Sequence, residues 1–286
     1  MSRIAIIGGG SMGEALLSGL LRSGHQVKDL VVAERAPQRG AYIAETYGVR
    51  VAGVRDAVES AGQVLVAVKP ADVEAVIAEI SDASAHADDG AVEQVLVSVV
   101  AGVTTAYVES RLPAGSPVIR VMPNAPALVG AGVSALAKGR FVTDEQLASV
   151  ARLFECVGGV LTVSETQLDA VTAVSGSGPA YFFLFVEALV DAAVAIGLAR
   201  PVATELAVQT MAGAAAMLLE RLPEPGSPTS SVPDTSAAQL RAMVTSPGGT
   251  TAAGLRELER RGLRAAVADA VEAAKTRSEQ LGITSE

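Results

Sequence analysis

Ile4-Ala5-Ile6-Ile7-Gly8-Gly9-Gly10-Ser11-Met12-Gly13 is followed at once by Ala15, Leu16, Leu17, Leu20 and Leu21 at helical spacing. An apolar run rich in isoleucine, a glycine cluster and an amphipathic pattern, in that order, describe a strand that turns sharply into a helix. The glycines fit G-x-G-x-x-G, with Gly9, Ser11 and Met12 at the intervening positions. In that setting Gly8 permits the tight turn, Gly10 lets the backbone approach a pyrophosphate, and Gly13 lets the helix pack closely on the strand. The helix N-terminus then faces the anion. The alternative is a glycine turn without a ligand; the flanking strand and helix favour a bound dinucleotide.

Outward from this unit, short apolar runs alternate with helical patterns: Leu30–Ala33, Val64–Val68, Val95–Val99 and Val118–Met122 read as further strands. Their apolar residues are consecutive rather than alternating, as in a sheet covered by helices on both faces. The expected architecture is α/β, a doubly wound parallel sheet. Thr143 with Gln146 forms a capping box for a helix whose stripe is Leu147, Val150, Ala151 and Phe154, and this helix is expected to close the first domain. After Ser164 strand signals stop, and apart from breaks at Ser175–Pro179 and Leu222–Thr235 the chain reads as helix to Gly282. Two domains follow: residues 1–163, dinucleotide-binding, and residues 164–286, all-α.

The helical part raises two further expectations. Pro179–Leu198 is apolar enough to suggest lipid, but Glu187 and Asp191 lie in its middle, so it reads as the buried helix of a soluble protein. Its long apolar segments and the small-residue run Ala212–Ala216 ask for more cover than one chain supplies, which points to sharing between subunits. Leu222–Ala238, with four prolines, reads as a surface insertion.

Composition narrows the chemistry. The 286 residues carry 22 basic and 31 acidic side chains, a net charge of −9, and no basic cluster offsets it, so nucleic acid is a poor partner. Cys156 is a single cysteine, and His25 and His86 are too few for a metal centre; no metal is expected. No secretory leader is evident, and with no membrane span expected the chain reads as cytoplasmic.

The cofactor's ribose should be read where the second strand ends, at Ala33-Glu34-Arg35. Glu34 suits a free 2′-hydroxyl (NAD), whereas Arg35, with Arg39 one turn on, suits a 2′-phosphate and tips the balance toward NADPH, with NADH possible. Ala67-Val68-Lys69-Pro70 and Val99-Val100-Ala101 end two other strands and should flank the nicotinamide half. Lys69 reads equally as a cofactor contact or as a surface lysine before a turn. In the helical half, Ser175–Pro179 and Ser246-Pro247-Gly248-Gly249-Thr250-Thr251 are glycine-rich. The second precedes a helix, so its amides could hold a carboxylate; a plain capping loop is the alternative.

Together, GGGSMG, AVKP, VAGVT, RVMPNAPALV, SGSGPAYFF and VTSPGGTT, in that order, resemble pyrroline-5-carboxylate reductase over essentially the whole length. The resemblance implies an N-terminal Rossmann-type domain, a C-terminal helical dimerisation domain, assembly as dimers or rings of dimers, and reduction of Δ1-pyrroline-5-carboxylate to L-proline by NAD(P)H. It places Gly8–Gly13, Ala67–Pro70, Val99–Ala101, Glu34 and Arg35 at the cofactor. Ser246, Gly248 and the amides of Gly249 and Thr250 go to the substrate carboxylate, the Thr251 hydroxyl to the ring nitrogen as the catalytic group, and Glu165 to substrate binding. The chain departs from the family pattern at Arg241-Ala242, where Lys-Asp is common, in the insertion at Leu222–Ala238, and near Val54, where an asparagine is common.

With no His or Lys between Val142 and Ala274, positioning and electrostatics must carry the chemistry in the helical domain. A 3-hydroxyacid dehydrogenase, which places a lysine there, is disfavoured. A related reductase acting on other cyclic imino acids stays open, and a non-catalytic dinucleotide-binding protein would show a degraded substrate loop where this chain has an intact one.

Overall fold

The computed structural model describes residues 3–59, 61–85, 94–222 and 235–282. Among these, eight strands form one sheet: β1 (Arg3–Ile7), β2 (Leu30–Ala33), β3 (Arg50–Ala52), β4 (Ala61–Val66), β5 (Val95–Ser98), β6 (Val118–Met122), β7 (Gly132–Lys138) and β8 (Gly158–Thr162). Their order is β3-β2-β1-β4-β5-β6-β7-β8, parallel as far as β6, with β7 antiparallel to β6 and β8 parallel to β7. The helices are α1 (Ser11–Arg22), α2 (Pro37–Tyr47), α3 (Val54–Val58), α4 (Val73–Ala85), α5 (Thr105–Glu109), α6 (Asp144–Phe154), α7 (Leu168–Val171), α8 (Gly178–Ala195), α9 (Arg200–Leu219), α10 (Ser236–Met243), α11 (Thr250–Arg260) and α12 (Leu263–Leu281). The strand order reverses between β1 and β4, the switch point where open α/β sheets bind ligands.

All five strands expected from the sequence form: β2 and β6 keep the expected bounds, and ends of β1, β4 and β5 move by one to three residues. Along β1 the side chains divide between two cores: Ile4 and Ile6 pack with Leu16, Leu20 and Phe154 on one face, Ala5 and Ile7 with Ile77 and Ile80 on the other. The Thr143–Gln146 capping box is present at α6, but that helix does not close the sheet, because β8 follows it. Gly158, at φ +142, makes this edge possible: a Cβ there would collide with the Gly132 carbonyl.

The chain divides into two compact units, Met1–Pro179 with Val271–Glu286, and Ala180–Ala270, so that residues 165–179 pack with the sheet. The reason is local. Leu168 is fully buried against Ala135 and Ala137 of β7, and Asn124 donates to the Ser175 carbonyl at 3.2 Å. The last part of α12 belongs to the same unit, where Ser278 donates to Asp169 at 2.6 Å and Leu281 packs so closely on Gly102 that a Cβ there would lie 2.8 Å from its carbonyl. The expected break at Ser175–Pro179 is a π-helical turn, Thr172–Gly176, within a helical run from Glu165 to Ala195. Gly176 lies against the end of the Met122 side chain, 3.1 Å from where a Cβ would stand.

The second unit has a small core, in which Val190, Ala203 and Ala207 are buried. Contrary to the expectation of a buried helix, α8 is largely uncovered in the single chain, with Phe183 64% and Leu184 66% exposed. Two helical runs, Glu165–Ala195 and Arg200–Leu219, are long and apolar enough to cross a membrane by length and composition. Most of Leu222–Ala238 lies outside the described residues; its last three begin α10.

A polar cluster fixes α1 against α2. Glu14, in the first turn of α1, accepts hydrogen bonds from Arg39, Tyr42 and Tyr47. Burial alone would raise its carboxyl, but these bonds outweigh burial and hold it below its ordinary value of 4.5. The stability this adds is complete above about pH 4.5 and is lost as the pH falls through the lower folded-state value. Glu14→Gln should lower stability at neutral pH by about 1–2 kcal/mol and flatten its decline in acid, as read from urea midpoints measured across pH.

Candidate active site

The glycine turn is tied down atom by atom. Gly8 donates to the Ala33 carbonyl at 2.8 Å, and Ala67 donates to the Ile7 carbonyl at 2.8 Å, so the ends of β1, β2 and β4 meet there. Gly8 has φ +103, and a Cβ on it would lie 2.6 Å from the Ala67 carbonyl; one on Gly13 would collide with the Gly8 carbonyl. Gly10 differs: a Cβ there would meet nothing within 4 Å. Its open side faces the uncapped start of α1, where the first-turn amides have no intrahelical partner. Closely packed Gly8 and Gly13, an open Gly10 and free amides fit a pyrophosphate.

A cleft of about 390 Å³ lies at this switch point. It brings together Gly8, Gly10, Glu34, Arg35, Ala67, Val68 and Lys69 from the expected set. Gly9, Ser11, Met12, Gly13 and Pro70 shape the turn or its rim without lining the cleft, and Val99, Val100 and Ala101 follow β5 outside it. The sequence reading missed Ala52, Gly53, Asp72, Ala75, Val76 and Glu79, which line it too. Ala52 and Gly53 end β3, a strand of three residues too short to stand out in the pattern; once it is recognised, the carboxyl-end rule finds them. Val54, where the family pattern departs, also lines the cleft.

The acidic and basic residues after β2 divide their work. Glu34 accepts from Gly9 N–H and Ala36 N–H, each at 2.8 Å. Arg39, read from the sequence as support for a 2′-phosphate, instead donates through Nε to the Gly9 carbonyl at 2.6 Å and through its terminal nitrogen to Glu14. Arg35 remains at the cleft and forms a two-point pair with Asp72. Lys69 is exposed at the cleft.

Glu165 accepts from the backbone and the hydroxyl of Thr105 and lies 3.5 Å from Arg120, whose side chain is only 7% exposed on β6. Its carboxylate therefore anchors the segment after β5 and neutralises a buried cation. Cys156 is half-buried beside Gly19, and its partial burial pushes the thiol up to about 11, which disfavours the thiolate.

In the second unit, Ser246–Thr251 forms an exposed turn into α11. Gly248 has φ +71, and Gly249 caps the helix through its backbone with no side-chain cap. One amide departs from expectation: Gly249 N–H donates to the Ser246 carbonyl at 3.1 Å, closing the turn. The amides left for an anion are those of Thr250 and Thr251 in the first helical turn.

Comparison with known proteins agrees with both halves. A family profile described as pyrroline-5-carboxylate reductase dimerisation matches residues 165–281, and one described as NADP oxidoreductase coenzyme F420-dependent matches residues 3–102. The chain is 68% identical to the Mycobacterium tuberculosis pyrroline-5-carboxylate reductase, covering 100% of this chain and 99% of that one. It is 37% identical to the Escherichia coli enzyme of the same name, covering 98% of each. Among solved structures, the Coxiella burnetii pyrroline-5-carboxylate reductase superposes with a TM-score of 0.88 at 35% identity over 99% of both chains. The Plasmodium falciparum pyrroline carboxylate reductase, solved with NADP bound, gives 0.81 at 27% identity over 99% of this chain and 98% of that one. The chain belongs to the pyrroline-5-carboxylate reductase family.

Proposed function

We propose that this chain reduces the C=N bond of Δ1-pyrroline-5-carboxylate to form L-proline, with NADPH as the preferred cofactor and NADH accepted. The observation that carries the reading is the pairing of two built half-sites in one chain: a glycine turn with an open Gly10 at the switch point, and an uncapped helix start carrying adjacent threonines. The bound dinucleotide supplies the hydride. The chain supplies position: Gly8 to Gly13 and the first amides of α1 hold the pyrophosphate, and Arg35 reads the 2′-phosphate.

On the substrate side, Ser246 and the free amides of Thr250 and Thr251 hold the carboxylate, while the Thr251 hydroxyl donates a hydrogen bond to the ring nitrogen. Gly248, at φ +71, keeps the turn open around them. A protonated cyclic imine is already electrophilic, so no strong acid is required of the protein, and holding donor and acceptor in register supplies about 7–11 kcal/mol of the barrier reduction. Glu165 contributes by fixing Thr105 and with it the segment that runs back to Val99.

The uncovered faces of α8 and α9 fit a second copy of this chain better than lipid. Glu187 and Asp191 stand in α8, and Asp191 pairs with Arg200 at 2.8 Å. The match to a dimerisation profile supports the same reading, and rings of such dimers would follow from further contacts. A single free thiol suits the reducing cytoplasm.

Purified protein should oxidise NADPH only when pyrroline-5-carboxylate is added, and NADH more weakly; a folded sample that consumes neither would refute the reaction. Thr251→Ala should keep its fold by circular dichroism but lose about 2–4 kcal/mol of transition-state stabilisation, roughly 30- to 1,000-fold in turnover. Phe183→Glu, on the uncovered face of α8, should shift the protein from dimer toward monomer in light scattering.

A further inference from the structure

Three charged residues follow β2, Glu34 and Arg35 directly and Arg39 in the first turn of α2, and two of them are spent on the glycine turn. Glu34 accepts from Gly9 N–H and Arg39 donates to the Gly9 carbonyl, so the two peptide units that flank the Gly9 Cα are each held by one side chain. Neither side chain can turn to a ribose without giving up that hold. Arg35 is free of it: its side chain is 81% exposed, and its guanidinium meets Asp72, Nη1 to Oδ1 at 2.7 Å and Nη2 to Oδ2 at 3.1 Å. Asp72 ends the 3₁₀ turn Pro70–Asp72 after β4 and is 26% exposed; both residues line the cleft.

We infer that Asp72 is a specificity residue that restrains the preference for 2′-phosphorylated dinucleotides by competing for Arg35. The inference rests on the dinucleotide reading of the cleft. A guanidinium offers five N–H donors, and the carboxylate takes two of them in the planar geometry that a phosphate would also use. A 2′-phosphate must share the guanidinium with a negative charge a few ångströms away, whereas a 2′-hydroxyl can donate to that same carboxylate. Asp72 thus penalises one cofactor and accommodates the other. An exposed pair contributes little to the fold, so altering Asp72 should change recognition and leave stability almost untouched.

The test uses the adenosine ends of the two cofactors, 2′,5′-ADP and 5′-AMP, titrated calorimetrically into the full chain and into Asp72→Asn, with Arg35→Gln as reference. Asp72→Asn should raise the affinity ratio of 2′,5′-ADP to 5′-AMP by about 5- to 30-fold, the scale expected for one screened charge near a phosphate. Arg35→Gln should lower the ratio. The ratio of kcat/KM for NADPH over NADH should move the same way. An unchanged or lowered ratio in Asp72→Asn would overturn the inference, since a carboxylate that merely orients Arg35 for phosphate gives that result, and so would failure of the unaltered chain to bind either fragment. A chain that binds both and shifts as stated, but does not reduce pyrroline-5-carboxylate, would sustain the role of Asp72 and refute the proposed reaction.

Discussion

The backbone at Gly9 is the point on which the N-terminal unit turns. Its N–H is bonded to Glu34 and its carbonyl to Arg39, while the neighbouring Gly8 adopts a conformation closed to other residues and donates to the end of β2. Arg39 is itself held by Glu14 one turn into α1, so β1, α1, β2 and α2 are joined through a few polar bonds around one loop. A helix start with free amides attracts anions in general. Rigid placement of that start at the sheet's switch point makes it a site for one particular anion, because the binding geometry exists before the ligand arrives.

The helical unit solves the complementary problem with less of its own material. It buries few large side chains, and its longest helices present phenylalanine and leucine outward. What it does build is an open turn leading into α11, with a positive-φ glycine and no side chain in the way. The unit is economical as a scaffold and dependent on company for its apolar surface, a combination suited to an assembled enzyme.

How far the sequence could be read follows from which forces dominate locally. β1, β2, β4, β5 and β6 are dense in Val, Ile and Leu and sit between two cores, so hydrophobic pattern alone reveals them. β3 is three residues long, and β7 and β8 dilute their Val and Leu with Gly, Ala, Ser and Thr, so pairing with neighbours makes them strands. Ser175–Pro179 looked like a break because glycine and proline punctuate most chains, yet Ser175 and Gly176 end a π turn and Gly178 and Pro179 open α8. The cofactor loop was legible because its glycines are spaced by a steric rule. Asp72 was not, since nothing in Lys69-Pro70-Ala71-Asp72 announces that the turn folds back to Arg35. The exposure of α8 was misread because apolarity says a face is covered without saying by what.

The final stretch of α12 carries a consequence for how this protein is made. Leu281 packs on Gly102 and Ser278 bonds to Asp169, so the nucleotide-binding unit borrows its closing strut from nearly the last residues described. Domains generally fold as they leave the ribosome, N-terminal part first. Here the first unit must wait for about 90 intervening residues, Ala180–Ala270, before its last piece emerges. Translation and closure are therefore coupled, and an interrupted message would yield a unit without the brace on Gly102 and Asp169.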